Sequence, residues 1–543
     1  MSRFDYVIVG AGTAGCVLAA RLSEDPGVRV CLIEAGGPAR HPFVKIPALV
    51  GCAIMGRPFT WGLWTEPQAA LDNRRIFLPR GKVVGGSGSI NGMAYHRGHP
   101  LDYDDWAAAG NTGWSWNEVL PYFRRSENNA DFRDPKVHGV NGPVHVKHIA
   151  KPNPLNQDFA RAFEILGGFK ACADFTGAGR EGYGLRQGTI HHGRRDSTAT
   201  AYLYPAMKRP NLTVLTRAQV HRLHVQDGRA TGVVLRSANG TETIQADREV
   251  LLCAGAIHSP QLLMLSGIGP ARHLETLGID VKVDLGGVGA NYQDHPALQI
   301  NMEMRDTTSY GLSLRTLPRA AWNLLEYLAT RGGPLASNVF ESTAFIRSAE
   351  TLDRPDIQIP FQPARRNPTP FPLPLGHGFA LSVVNLYPRS RGQVRLASAD
   401  VHDAPRVDAG LFSNPADIAP MLWGLRLVRR LIDTGAFARY HAHEVLPGRD
   451  VQSDEALTAY LRRAAGTAHH PVGTCRMGTE GNAVVDAALR VRGVESLRVV
   501  DASVFPGIVG GNTNAPVVMA AEKAADLIRG RTGPDDDATA TGD

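Results

Sequence analysis

The sequence predicts an α/β protein in which a Rossmann-like domain is joined to a second domain built on an antiparallel sheet. Three observations lead to this prediction. The chain begins with an apolar strand, a glycine-rich turn and a helix, and alternating segments between residues 212 and 250 indicate a small β-meander followed by a buried strand. After about residue 300 the composition changes, and proline-rich stretches separate strand-like ones.

The start of the chain has the pattern of a βαβ unit. One apolar run ends at Gly10, apolar residues recur at helical spacing after Gly15, and a second apolar run ends at Glu34. In such a unit Gly10 permits a tight turn, Gly12 lets a pyrophosphate approach the backbone, and Gly15 lets helix and strand pack closely. Glu34 can accept hydrogen bonds from both ribose hydroxyls of an adenosine. The flanking strand, helix and acid together predict a dinucleotide site, which the glycines alone would indicate only weakly.

Length and composition bound the class of protein. The 543 residues are 43% hydrophobic and 20% charged, which suits a large core and two or more domains. The net charge of +6 is spread along the chain without a run of like charge, so we expect no nucleic-acid partner. The six cysteines lack C-x-x-C spacing, and no signal peptide or membrane span is evident. We therefore expect a cytoplasmic protein with reduced thiols, and we leave peripheral membrane attachment open.

A second glycine-rich segment covers residues 81–92. Its five glycines in twelve residues are too many for the interior of a helix or strand. A flexible linker is the alternative, but the segment continues directly into the apolar Ile90 and Met93. We therefore predict a loop that lies against something flat or charged.

Four motifs, taken in order, resemble those of the glucose-methanol-choline (GMC) flavin oxidoreductases. They are the opening glycine turn with Gly81–Asn91, then Gly255–Gly269, His470–Thr474 and Asp501–Pro516. The nearest likeness within the family is to choline dehydrogenases and medium-chain alkanol dehydrogenases. The resemblance implies FAD as the cofactor and an FAD-binding domain combined with a substrate-binding domain.

The resemblance also implies which residues contact FAD. They are Gly10, Gly12, Thr13, Ala14, Gly15, Glu34, Ala35, Val83, Gly86, Ser87, Asn91, Gly92, Met93, Ala94, Val220, Ala254, Gly255, Asp501, Ala502, Asn512 and Thr513. In relatives that attach FAD covalently, a histidine precedes the asparagine of the first signature. Ile90 stands at that position here, and because an alkyl side chain cannot form the bond we expect non-covalent FAD.

The two domains are expected to be discontinuous in sequence. We assign residues 1–150, 200–300 and 465–530 to the FAD-binding domain and residues 151–199 and 301–464 to the substrate-binding domain. The acidic tail, residues 531–543, is expected to be disordered because it has too few apolar residues to pack.

The chemistry is expected near the adjacent histidines His469 and His470. The resemblance selects His470 as the base that takes a hydroxyl proton and Asn512 as the partner that holds the oxygen. Adjacent side chains on an extended segment point in opposite directions, so we expect only one histidine to reach the site. His469 and Glu341 are candidate substrate contacts, although a structural role is the stronger interpretation of Glu341. A two-histidine metal site is disfavoured because no carboxylate or cysteine stands at a ligand spacing.

The second domain contains a proline-rich stretch and a well-marked helix. Residues 355–378 are too rich in proline for regular structure, and we favour a lid over a disordered insert, a membrane surface or an oligomer contact. A capping asparagine and a following proline predict a helix over residues 414–435, with Arg426, Arg429 and Arg430 on its solvated side.

The predicted function is the oxidation of a primary alcohol to an aldehyde, with electrons passed to a quinone or another acceptor. An alcohol oxidase that uses O₂ is the first alternative. A non-redox lyase of the hydroxynitrile type and a flavin-binding protein without turnover are alternatives of another class. The oligomeric state and the identity of the alcohol are left open.

Overall fold

Two seven-stranded sheets organise the part of the chain that the computed structural model describes, residues 2–177, 179–237, 240–366, 373–531 and 533. Both sheets carry helices, and each has its own hydrophobic core. The predicted disordered tail lies mostly outside these ranges, as do residues 367–372 of the predicted lid. The prediction that residues 355–378 lack regular structure is wrong for Ile357–Gln362, which is a strand paired on both sides despite Pro360.

The first sheet is mainly parallel. Its strand order is Leu212–Thr216, Val30–Glu34, Arg3–Val9, Gly240–Leu252, Arg229–Ser237 and Gln219–Gln226, and Leu497–Val499 also pairs with Gly240–Leu252. The last two strands of the main order form, with Gly240–Leu252, the antiparallel meander that the alternating pattern predicts. The prediction is wrong for Leu212–Thr216, which pairs in parallel with Val30–Glu34 at the other edge of the sheet. Val9 pairs with both Ile33 and Leu252, so three parallel strands end side by side. This common carboxyl edge is where α/β sheets bind their ligands.

Helices and short helical turns lie around the first sheet, and the ends of its central strands at the carboxyl edge, residues 6–9, 30–33 and 250–252, are buried apolar runs. These helices and short helical turns are Thr13–Leu22, Pro42–Lys45, Val50–Met55, Pro100–Ala108, Trp116–Ser126, Tyr204–Ala206, Gly255–Leu265, Ala271–Thr276 and Asn514–Arg529. The first and last of them are joined through buried Glu522, whose carboxylate pairs with Arg21 and Arg125.

The second sheet is antiparallel in every described pairing. Its order is His443–Leu446, Pro296–Glu303, Gly378–Asn385, Ile357–Gln362, Ser342–Ile346 and Gly182–Leu185, and Gly466–Thr467 also pairs with Pro296–Glu303. Its helices are Leu155–Leu166, Leu317–Thr330, Ile418–Asp433 and Asp454–Ala464. The fold class predicted from the sequence is therefore confirmed. The domain boundaries stay a proposal. Pro296–Glu303 crosses the predicted boundary at residue 300, and Gly466–Thr467, which lies in the range assigned to the FAD-binding domain, pairs within the second sheet.

Short paired strands connect the larger elements. They are Leu63–Trp64 with Phe77–Leu78, Glu127–Asn129 with Val144–His148 and Gln187–Gly188, Ile190–His191 with Arg194–Arg195, Ile268–Gly269 with Val283–Asp284, and Gln393–Arg395 with Arg406–Asp408. Within the ranges given above, no helix combines the length and the apolar character that a membrane crossing requires.

The predicted helix over residues 414–435 is present as a 3₁₀ turn, Pro415–Asp417, followed by Ile418–Asp433. The side chain of Asn414 accepts a hydrogen bond from the amide of Ala416, as a cap should. The prediction that Arg429 is solvated is wrong. Its guanidinium is buried and pairs with Glu444 at 2.7 Å, because Glu444 comes from the neighbouring sheet strand, a contact that helical periodicity does not reveal.

Candidate active site

A single large cavity of about 1810 Å³ lies between the carboxyl edge of the first sheet and one face of the second sheet in the described chain. It exceeds the roughly 300–1,000 Å³ of an ordinary small-molecule pocket, so it has room for a dinucleotide and a substrate together. The predicted residues that line it are Gly10, Gly12, Thr13, Ala14, Glu34, Ala35, Gly86, Ser87, Asn91, Gly92, Met93, Ala94, Val220, Ala254, Gly255, Asp501, Ala502, Asn512, Thr513, His469 and His470.

The two glycine-rich segments pack backbone to backbone at one end of this cavity. A Cβ atom on Gly86 would lie 2.8 Å from the Cα atom of Gly12, and Gly86 has φ +54°. A Cβ atom on Gly15 would lie 2.0 Å from the carbonyl oxygen of Gly10. Gly15 therefore serves helix–strand packing behind the cavity wall, and residues 81–92 form a packed loop, as predicted, rather than a flexible linker. The result is a smooth, side-chain-free wall that fits a pyrophosphate.

Glu34 is held at the cavity edge by two backbone amides. Its Oε2 accepts a hydrogen bond from the amide of Ala11 at 2.9 Å, and its Oε1 accepts one from Gly36 at 2.7 Å. Burial raises the pKa of Glu34 to about 7, although the two amides act in the opposite direction. The side chain is thus fixed in place, and each of its oxygens keeps a free lone pair. That these lone pairs accept hydrogen bonds from ribose hydroxyls stays a prediction.

Arg195 supports the second glycine loop and was missed in the sequence. Its Nη1 donates to the backbone oxygen of Asn91 at 2.6 Å and to the side-chain oxygen of Asn91 at 2.8 Å, and its Nε donates to the backbone oxygen of Val44. The guanidinium is buried, and these bonds replace part of its hydration, while its Nη2 is buried without a hydrogen-bond partner in the described chain. Val83 lies in a small core beside Ile90, behind the cavity wall, and its side chain does not line the cavity.

Replacing Glu34 by alanine should weaken FAD binding about ten- to a hundred-fold, because one charge-assisted acceptor contributes about 1.5–3 kcal/mol. Titration of the apoprotein with FAD, followed by quenching of flavin fluorescence, measures the loss. Glu34→Gln is the matched control, since it keeps an acceptor oxygen and should lose less. Equal affinity in all three proteins would contradict a ribose contact.

His470, Asn512 and His295 form one hydrogen-bonded chain beside the cavity. Nδ1 of His470 lies 2.9 Å from Nδ1 of His295, and Nε2 of His470 lies 2.9 Å from the amide nitrogen of Asn512. Nε2 of His295 lies 3.1 Å from the backbone oxygen of Leu386. The predicted pair is therefore brought together, and a third residue, His295, joins it.

This chain fixes the tautomer of each imidazole. A carbonyl oxygen only accepts, so Nε2 of His295 carries a hydrogen and donates it to Leu386. Burial lowers the pKa of His295 to about 4, so the ring is neutral and its Nδ1 accepts from Nδ1 of His470. Nε2 of His470 is then left with a lone pair, which is directed at Asn512 and the cavity. Burial also lowers the pKa of His470 well below its usual value, which keeps this lone pair free at neutral pH.

Asp294 fixes the backbone at both histidines. Its Oδ1 accepts the backbone amide of His470 at 2.7 Å and that of His295 at 2.9 Å. Burial raises its pKa to about 6. Asp294 and His295 were both missed in the sequence, where their only local signal is the run Gln293-Asp-His-Pro296 just before a strand.

The argument that only one of the adjacent histidines reaches the site is wrong. His469 has φ +66°, so the segment is not extended there and the alternation of side chains does not apply. Both residues line the cavity. Burial, followed by the nearby Arg80 and Arg366, lowers the pKa of His469 to about 3, and Arg80 donates to its backbone oxygen at 2.8 Å.

Glu341 does not line the cavity. Its side chain is fully buried, and its two oxygens accept hydrogen bonds from the amide of Asn153, the side-chain amide of Asn156, and the hydroxyls of Tyr310 and Ser337. Four donors satisfy the carboxylate completely. This arrangement favours the structural interpretation of Glu341 over a substrate contact.

The start of the helix Asn514–Arg529 borders the cavity through Asn512, Thr513 and Asn514. The hydroxyl of Thr13 donates to the side-chain oxygen of Asn514 at 2.8 Å, which joins this helix to the first glycine turn. The positive end of the helix dipole therefore faces the cavity, where it stabilises negative charge.

Charged residues are unevenly distributed around the cavity. In the described part of its lining, the acidic residues are Glu34 and Asp501, and both lie among the predicted FAD contacts. The basic residues are Arg80, Lys151, Arg186, Arg319, Arg365, Arg366 and Arg463, which lie in the remaining part. Arg365 and Lys151 pair with Glu303 and Glu326 outside the lining, and the remaining basic residues leave the unassigned portion of the cavity with an excess of positive charge.

Comparison with known proteins decides the family. The N-terminal and C-terminal models of GMC oxidoreductases match residues 4–297 and 388–521. The chain is a GMC oxidoreductase. The family, the fold class, the oxidoreductase activity and FAD as the cofactor are thus confirmed. The roles of individual residues in this GMC oxidoreductase stay proposals.

Two curated relatives match almost the whole of this GMC oxidoreductase. "Alcohol dehydrogenase [acceptor]" of Pseudomonas putida is 41% identical over 528 residues, which cover 97% of this chain and 95% of the relative. "Oxygen-dependent choline dehydrogenase" of Rhizobium etli is 42% identical over 532 residues, which cover 97% and 96%.

Two solved structures match this GMC oxidoreductase equally completely. Pyridoxine 4-oxidase of Mesorbium loti has a TM-score of 0.87 at 33% identity and covers 97% of this chain and 99% of its own. Formate oxidase of Aspergillus oryzae, in a study of FAD modification, has a TM-score of 0.90 at 29% identity, with 97% and 98% covered.

Proposed function

We propose that this GMC oxidoreductase oxidises a neutral primary alcohol to the aldehyde with non-covalently bound FAD. The observation that supports the proposal best is the chain His295–His470–Asn512, which leaves a basic lone pair on Nε2 of His470 at the cavity. The alkyl side chain of Ile90, which lines the cavity, supports non-covalent binding because it offers no nucleophile.

Each residue has one task in this reaction. The alcohol hydroxyl donates its hydrogen to Nε2 of His470. The hydroxyl thereby takes the place of the Asn512 amide, which donates to that nitrogen when no alcohol is bound. The amide of Asn512 then donates to the alcohol oxygen and stabilises the charge that develops as the proton leaves. Bound FAD would accept the hydride that leaves the carbon bearing that oxygen. The helix that begins at Asn514 directs the positive end of its dipole at the cavity, where it stabilises negative charge.

The charge of the cavity narrows the substrate class. A quaternary ammonium group would meet arginines and no carboxylate outside the FAD contacts in the described lining, and residues 367–372 of the sequence contain no acidic side chain either. Desolvating a cation there without a counter-charge is costly. We therefore favour an alkanol or aryl alcohol over choline, even though choline is named in one group of relatives.

The acceptor and the location complete the proposal. We propose that the electrons pass to a quinone or another acceptor, as the name of the relative "Alcohol dehydrogenase [acceptor]" suggests. An oxidase that uses O₂ stays the alternative, since other relatives are named "Oxygen-dependent choline dehydrogenase". We propose a cytoplasmic protein with a peripheral membrane contact. The part of the predicted lid that follows the strand Ile357–Gln362 is proposed to cover the cavity entrance, since Leu373 and Pro374 line the cavity.

Anaerobic mixing of the holoenzyme with a panel of alcohols tests this function. Medium-chain primary alkanols or aryl alcohols should reduce the flavin and so bleach the visible absorbance of oxidised FAD. Choline should reduce the flavin at least about tenfold more slowly, because its unpaired charge must be buried. If choline were the fastest substrate, the substrate class would be wrong. If no alcohol bleached the flavin, the non-redox alternatives would replace the proposal.

A further inference from the structure

The helix Leu317–Thr330 exposes an apolar face that no part of the described chain covers. Leu317, Trp322, Leu325 and Leu328 are 55%, 66%, 60% and 58% exposed, and Leu314, just before the helix, is 87% exposed. Their spacing places them on one side of an α-helix. Only Tyr327 of this helix is fully buried. A contiguous apolar stripe of this kind, unlike scattered single residues, indicates an interaction surface.

An adjacent side of the same helix borders the cavity, and it overlaps the stripe at Leu324, which is 47% exposed and lies next to Leu317 and Leu328 on the helix surface. Ala320, Asn323 and Leu324 contribute to its lining, together with Thr316 just before the helix. The helix therefore forms part of the cavity wall, with its apolar stripe directed outward. Whatever covers the stripe lies next to the cavity.

Basic residues surround the stripe. Arg315, Arg319 and Arg331 lie before, within and after the helix, and the one acidic side chain of the helix, Glu326, pairs with Lys151 at 3.5 Å. Leucine and tryptophan at the centre with arginine at the edges is the pattern of helices that lie in the plane of a lipid interface. The positive edge complements anionic lipid headgroups.

A second copy of the chain is a less suitable occupant. A two-fold contact would place the same helix against itself, because such interfaces use one surface patch on both subunits. The arginines around the stripe of one copy would then lie close to arginines of the other copy, and the like charges would repel each other. A bilayer of anionic phospholipid can bury the apolar stripe and pair its negative headgroups with the basic residues at the edge.

We propose that the stripe formed by Leu314, Leu317, Trp322, Leu325 and Leu328 docks this protein on an anionic phospholipid surface. The docking itself does not depend on the activity. Its consequence rests on the proposed function: the cavity then lies beside the bilayer, so an apolar alcohol and a membrane-dissolved quinone reach it directly from the lipid.

Sedimentation with vesicles tests the docking. The FAD-loaded full chain is mixed with vesicles of phosphatidylcholine alone or of phosphatidylcholine with phosphatidylglycerol, and the yellow protein in the pellet is measured. We expect binding to the mixed vesicles that weakens in high salt. Trp322→Glu and Leu325→Glu should each reduce the bound-to-free ratio about tenfold or more, because a charge enters the apolar contact. Arg315→Glu should reduce only the part that depends on phosphatidylglycerol.

Trp64→Glu is the matched control, because Trp64 is 54% exposed and lies in a different part of the chain. It should bind vesicles like the wild type. Equal sedimentation of the wild type and Trp322→Glu, or no sedimentation of the wild type, would overturn the proposal. If light scattering then showed a dimer that Trp322→Glu dissociates, a second copy would be the occupant. Anaerobic flavin reduction by alcohols, measured on the same proteins, reports failure of the proposed function separately.

Discussion

Replacing His470 by alanine should slow reduction of the bound flavin by an alcohol about 10²–10⁴-fold, the usual contribution of a general base. Hydride leaves readily only from a carbon whose oxygen is losing its proton, and Nε2 of His470 is the lone pair that the buried imidazole chain directs at the cavity. FAD content should stay normal. Anaerobic stopped-flow mixing with the best alcohol of the panel measures the rate directly.

His469→Ala is the matched control, since His469 also lines the cavity but donates or accepts nothing in the chain to Asn512. It should lose less than Asn512→Ala, which removes one positioned hydrogen bond and about 2–3 kcal/mol of barrier stabilisation. Rates within about threefold of the wild type for His470→Ala would move the base elsewhere, and His469 would be the next residue to test.

The pH dependence gives an independent check on the base. Burial holds the pKa of His470 well below its usual value near 6.5, so the neutral ring persists at pH values where an exposed histidine would be protonated. In the wild type kcat/KM should therefore stay level through about pH 6.5 and fall only at lower pH, because a protonated imidazole cannot accept the hydroxyl proton.

Local sequence predicted the parts of the site that depend on backbone conformation. The glycine turn, the acid at the end of the second strand and the second glycine loop each require particular residues within a short span, so Gly10, Glu34 and Gly86 could be identified. His470 and Asn512 were found only because their motifs resemble those of a family. The contact between them joins residues 42 positions apart, which spacing alone does not predict.

The parts that sequence reasoning missed depend on contacts between distant segments. His295 and Asp294 meet His470 from about 175 residues away, and Arg195 reaches Asn91 across 104 residues. The expectation for His469 failed because a positive φ interrupts the extended segment that the alternation rule assumes. These are tertiary effects that a pattern in one segment cannot reveal.

Replacing His295 by leucine should slow flavin reduction about 10²–10⁴-fold, because a base in the wrong tautomer loses about as much as a base removed. His295 does not line the cavity; it acts through His470 by accepting the hydrogen on Nδ1. Without that acceptor, the buried Nδ1–H has no partner, and the alternative tautomer places the hydrogen on Nε2, where it blocks proton transfer from the alcohol.

Two measurements separate this positioning role from simple damage to the core. Nitrogen-15 NMR of the imidazoles should find the hydrogen of His470 on Nδ1 in the wild type and on Nε2, at least in part, in His295→Leu. His295→Gln should restore most of the rate, since its side-chain oxygen can accept from Nδ1 of His470. If both variants kept the wild-type tautomer yet were equally slow, His295 would only support the fold, and its hydrogen bond would not be what fixes the tautomer of His470.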